Sequence, residues 1–222
     1  MRFLRDRATE PEELDLGVSE TEAIKSLRDI RRVNRWLGGR RSLLGAIEPY
    51  LTEGGRILDV GCGSADLPAE VVARSAGRVT AVGVDVKLVH LQQAPVSVQR
   101  VVADVRALPF APRSFDVVSA SLFLHHFDGP EVAIILGTLF RLARRALVVN
   151  DLHRALVPWL FGRSVFPLVF ESRVSVDDGL LSIRRAFRPD ELRQAFTEAA
   201  IPRVRILRRF PYRLVAVAEA TA

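Results

Sequence analysis

Cys62 is the sole cysteine of the chain, which excludes an internal disulfide, a cysteine-built zinc site and a redox pair, and fits a reducing, cytoplasmic setting. Aromatic residues make up 7% of a sequence that is 49% hydrophobic. The core must therefore be aliphatic, with little aromatic surface left for stacking single-stranded bases. Lysine is scarce too: Lys25 and Lys87 stand alone among 32 basic residues. No long apolar run is present. The most apolar region, Ala155 to Phe170, is interrupted by Pro158, Arg163 and Pro167, so it is too short and too broken to span a bilayer; contact with a membrane surface stays open to it. The opening stretch MRFLRDRATEPEELD is charged from its second residue and lacks the apolar centre of an export signal. Internal repeats are also absent.

A chain of 222 residues suits one domain with appendages. The net charge of +6 raises the question of nucleic acid, but the arginine clusters at 31, 32 and 35, at 40 and 41, and at 208 and 209 are diluted by apolar neighbours, with no accompanying nucleic-acid motif. Apolar residues from Glu20 to Leu37 recur at helical spacing until Gly38 and Gly39, and a second short helix is expected through SLLGAIEPYL. Residues 1–53 thus form a helical preface. Short β-branched runs follow at Arg56–Val60, Val79–Val84, Val98–Ala103, Phe115–Ala120 and Ala146–Val149, mostly spaced for crossover helices, which predicts an α/β protein with a parallel sheet covered on both faces. Residues 152–187 break this rhythm as an insertion. RPDELRQAFTEAA restarts a helix with Pro189 in its first turn, and RVRILRRF and YRLVAVAEA read as an edge hairpin.

The stretch RILDVGCGSADLP reads as a strand, a glycine turn and a helix. Glycines at 61 and 63 let the backbone approach a ligand, toward which the helix points its positive end. A dinucleotide loop needs a small residue at position 66, and this chain has Asp66 there. With Asp59, it makes the loop acidic and favours a nucleoside that carries positive charge.

LDVGCGSAD resembles the first motif of class I S-adenosylmethionine-dependent methyltransferases. VTAVGVDV is similar to the second, VVADVRALPF to the third and FDVVSASLFLHHF to the fourth-strand motif. Details such as RRAFRPDELRQAF are similar to the quinone-biosynthesis-like, small-molecule branch. The resemblance implies a Rossmann-like, mostly parallel seven-stranded sheet with helices on both faces, a terminal antiparallel hairpin and an N-terminal helical lid over residues 1–53. Residues 54–222 would then be the S-adenosylmethionine-binding domain, with a substrate cap at about 152–187. It also implies cofactor contacts at Asp59, Gly61, Cys62, Gly63 and Asp66, at Asp85 on the ribose with Val86, at Asp104 and Val105 on the adenine, and at Ser121. The blander readings are that Asp59 braces the turn and Asp66 caps its helix.

His125 and His126 after the fourth strand and His153 after the fifth are the candidate bases. If the first two lie in extended chain, only one can face the substrate; His126 is preferred, and His153 rivals it because Asp151 could orient its ring. No metal is expected, since SASLF offers no carboxylate to join Asn150 and Asp151. Trp36, Trp159, Phe161, Phe166 and Phe170 are candidates for an apolar substrate pocket. The expected activity is methyl transfer to a small apolar or aromatic acceptor of phenolic, polyketide or quinone type, at oxygen rather than carbon, by a monomer or homodimer. The alternatives are a nucleic-acid methyltransferase, a non-catalytic cofactor-binding scaffold and, less favoured, a dinucleotide oxidoreductase.

Overall fold

A computed structural model describes residues 4–220; residues 1–3 of the expected lid and 221–222 of the expected main domain lie outside the described residues. Seven strands form one sheet in the order β3-β2-β1-β4-β5-β7-β6. The strands are β1 (Arg56–Val60), β2 (Thr80–Asp85), β3 (Val98–Val102), β4 (Phe115–Ser121), β5 (Ala143–Leu152), β6 (Val204–Arg209) and β7 (Arg213–Glu219). The first five pair in parallel, and β7 runs antiparallel between β5 and β6. The hairpin expected at the edge therefore places only β6 at the edge.

Alternation along the strands divides the core. Ile57 and Val117 meet α3 (Gly39–Ile47) and α4 (Asp66–Arg74) on one face, whereas Leu58 and Val118 meet α6 (Pro130–Leu142) and α9 (Pro189–Glu198) on the other. Burial on both faces gives the central strands their nearly unbroken apolar sequences. β5 extends to Ala143, beyond its expected start, because Arg144 and Arg145 are exposed within a strand whose other residues are mostly buried.

Two segments lie over the carboxyl ends of the parallel strands. The first comprises α1 (Glu13–Leu16) and α2 (Glu20–Trp36), the second α7 (Leu156–Val169) and α8 (Arg173–Arg185). Ser19 caps α2 by accepting from the Glu22 amide. Asp29 of α2 is fully buried and accepts from the Glu171 and Ser172 amides just before α8, which couples the two segments. α3, in contrast, packs Leu43, Leu44 and Ile47 into the core. Only the part of the preface before Gly39 lies over the strand ends. α5 (Leu88–Gln92) completes the helices, and no described helix is long and apolar enough to cross a membrane.

Candidate active site

β1 and β4 are neighbours while the chain order diverges on either side of them, which makes their carboxyl ends a topological switch point where a ligand crevice forms. A cavity of about 580 Å³ lies there. All ten residues expected at the cofactor line it, from Asp59 in β1 to Ser121 in β4. The backbone is left-handed at Gly61 (φ 65°) and Gly63 (φ 53°). A Cβ at Gly61 would stand 2.1 Å from the Phe123 ring, so the turn can be this tight only with glycine.

Asp85 holds the loop from β2, accepting from the Gly63 amide at 3.0 Å and from the Lys87 amide at 2.9 Å. Its Oδ1 also lies 3.2 Å from His90 Nδ1. His90 is buried, its Nε2 has no partner among the described residues, and it lines the cavity. An orphaned polar atom of this kind invites a ligand hydrogen bond. Asp59 accepts from Ser119 Oγ at 2.6 Å; burial, with Asp66 and Asp85 adding to it, pushes its carboxyl up to about 7. Asp66 does not cap α4: the left-handed Ala65 occupies the cap position, and Asp66 pairs with Arg31 of α2 at 2.8 Å. Asp104 is fastened to the Arg106 amide and guanidinium and lies below its usual carboxylate range. Ser121 Oγ accepts from Asn150 Nδ2 at 2.9 Å. The Cys62 thiol is driven upward by burial and by Asp59 and Asp85, which removes it as a nucleophile.

A second cavity of about 720 Å³ adjoins the first, and Glu12, Leu14, Ile30, Leu122, Leu152 and Ser182 are common to both walls. Trp36, Phe161, Phe166 and Phe170 line it as anticipated, but Trp159 does not. α7 turns Val157, Pro158, Phe161 and Phe166 to the cavity, and Trp159 falls off that helical stripe, beside Arg163.

The histidines depart further from expectation. Leu124–His126 is a 3-10 turn rather than extended chain, so the two imidazoles stack at 4.4 Å and both line the smaller cavity. Asp151 orients His125, not His153: its Oδ1 lies 2.6 Å from His125 Nδ1. His153 bridges to Phe187, lines neither cavity and lies below the usual histidine range through burial and nearby arginines. The remaining parts of the cluster come from the N-terminal segment. Asp15 Oδ2 sits 2.6 Å from His126 Nδ1, while Glu12 lies 3.5 Å from His125 Nε2 and 4.0 Å from His126 Nε2. Burial alone would depress His125, but Asp151 and Glu12 outweigh it and raise the ring to about 10. Glu12 and Asp15 fall below their ordinary values because the imidazoles overcome burial. Glu12, His125 and His126 bring one ligand atom each within 4.8 Å of one another, a spacing able to hold a metal ion.

The fold and the glycine loop agree with the comparisons. Residues 57–146, from β1 into β5, match the family model described as a methyltransferase domain. Those residues are similar to a methyltransferase domain, and together with the sheet order this supports an S-adenosylmethionine-dependent methyltransferase. Among solved structures, a SAM-dependent methyltransferase from Aquifex aeolicus superposes at TM-score 0.65 and 15% identity, over 91% of this chain and 99% of that one. The plantazolicin methyltransferase BpumL, crystallised with a triazolic desmethylPZN analog and SAH, gives 0.67 and 15%, over 91% and 98%. Magnesium protoporphyrin IX methyltransferase (ChlM) of Synechocystis PCC 6803, with bound SAM, gives 0.58 and 16%, over 88% and 84%. Identities this low establish a shared fold. No curated protein matches the chain. The glycine-lined space, the Asp85 carboxylate at the end of β2 and the unpartnered His90 Nε2 suit a nucleoside cofactor.

Proposed function

We propose that this methyltransferase acts on an oxygen of a small, largely apolar or aromatic acceptor, phenolic, polyketide or quinone-type, held in the larger cavity. The observation that carries the reading is the junction itself: an apolar cavity of about 720 Å³ shares six wall residues with the cofactor cavity, and the histidine cluster lines the cofactor side. Bound S-adenosylmethionine supplies an electrophilic sulfonium methyl. The chain's residues align the acceptor, exclude water and receive its proton. α1 and α2 serve as a lid, and α7 and α8 as the substrate cap.

His126 is assigned the proton. Asp15 holds its Nδ1, which leaves Nε2 as the free nitrogen facing Glu12 near the junction. His125, by contrast, is kept charged between Asp151 and Glu12, so near neutrality it donates hydrogen bonds and orders the cluster. As the acceptor oxygen takes the methyl group that bound S-adenosylmethionine would supply, His126 Nε2 would receive the acceptor's proton.

His126→Ala is expected to lower methyl transfer to phenolic acceptors by about 100-fold or more, far more than it lowers S-adenosylhomocysteine affinity read by titration calorimetry. Wild-type turnover in that variant would remove His126 from this role. Loss of wild-type turnover after treatment with a chelator would instead reassign Glu12, His125 and His126 to a metal.

A further inference from the structure

Arg213 opens β7 opposite Leu152 of β5, at 1% exposure, and lines the larger cavity. Its Nη2 donates to Asn34 Oδ1 at 2.9 Å, but its Nη1 is buried without a partner among the described residues. The acid that acts on it through charge is Asp151, whose oxygens are already engaged by His125 and the Leu152 amide. A buried guanidinium with an unused donor is unfavourable unless an anion completes it.

That guanidinium lies at the amino-terminal end of α3. A Cβ at Gly39, the first residue of this nine-residue helix, would come within 3.1 Å of Arg213 Cζ. The cap residue, Gly38, has no side chain to receive the first-turn amides, so the positive end of the helix and the charged fork converge with no counter-ion among the described residues. Gly38, Arg41 and Ser42 line the same cavity, as does Arg35, and neither Arg35 nor Arg41 forms an ion pair among the described residues. The two acids on this wall are occupied: Asp178 accepts from the Glu13 and Leu14 amides, and Glu12 from Ser182.

We propose that Arg213 and the amino-terminal turn of α3 form a carboxylate-binding site, so that the acceptor is an apolar body carrying an acid group. The inference rests on reading the larger cavity as the acceptor site. A planar carboxylate suits a guanidinium fork, and the apolar walls around Phe161, Phe166 and Phe170 take the remainder of the molecule.

The test titrates two acid and amide pairs, 4-hydroxycinnamate with its primary amide and dodecanoate with its primary amide, into protein saturated with S-adenosylhomocysteine. At least one acid should bind about tenfold more tightly than its amide. Arg213→Gln should erase that preference without altering S-adenosylhomocysteine affinity, and Arg213→Lys should retain part of it. Should the glutamine variant fail to fold, Gly39→Ala, whose added methyl crowds Cζ, should weaken acid binding selectively. Equal binding of acid and amide by the wild type, or binding of neither, overturns the inference. Failure of S-adenosylhomocysteine to bind the wild type would signal instead that the cofactor reading itself is wrong.

Discussion

His125 is a buried imidazole with a carboxylate at each nitrogen, Asp151 at 2.6 Å and Glu12 at 3.5 Å. Its folded value of about 10 lies above the ordinary histidine value of 6.5. A group raised in this way stabilises the fold fully below the unfolded value, and the contribution disappears as pH rises through the folded one. Denaturant unfolding of the wild type should therefore show stability falling between pH 6.5 and about 10, while His125→Gln should flatten that slope; parallel pH profiles would argue against a charged His125. The sequence made the pair of histidines visible, together with Asp85 and the glycine turn, because those residues lie within short motifs. Glu12, Asp15, His90 and Arg213 were not legible as site residues. Glu12 and Asp15 reach the histidines across more than a hundred residues of chain, and no local periodicity marks such a meeting. Asp151 was noticed but given to the wrong ring, since the bend that brings it to His125 is a tertiary feature.

Among the elements, the strands and the principal helices were legible from punctuation and apolar spacing, because the buried strands leave few polar residues to obscure the pattern. Their boundaries were less so where charge intervenes, as at Arg144 and Arg145 in β5. The role of α3 was also hidden: a helix bordered by glycines looks like part of an appendage, yet Leu43 and Ile47 are fully buried against the sheet. How α2 meets α8 depends on Asp29, which accepts from the Glu171 amide at 3.0 Å and the Ser172 amide at 3.0 Å. Arg32 reinforces the joint through Glu171 and the Val169 carbonyl. Asp29→Ala leaves two amides without their acceptor and is expected to destabilise the fold by about 1–3 kcal/mol, measured by urea unfolding. An unchanged midpoint would mean that water replaces Asp29 without loss.

At the scale of the molecule, both cavities depend on one short stretch of chain. Residues 9–15 run along the smaller cavity, and Glu12 and Leu14 also wall the larger one. The stretch is held from below by several anchors: Asp178 at the Glu13 and Leu14 amides, Lys87 at the Leu14 and Asp15 carbonyls, and Arg185 at the Glu10 carbonyl. These are polar attachments with little apolar burial behind α1, none of whose own residues is buried, and such segments open locally at lower free energy than a core element. If the stretch is a lid, one anchor should control access to both ligands at once. Asp178→Ala removes the acceptor for two amides, and it should weaken S-adenosylhomocysteine by about tenfold and raise the acceptor KM with it. In hydrogen exchange, residues 8–16 should lose protection in the variant while the β4 and β5 amides keep theirs. Slower exchange of the same residues when S-adenosylhomocysteine binds the wild type would show that the cofactor closes the lid, whereas exchange unchanged by ligand and variant alike would make this stretch a fixed wall.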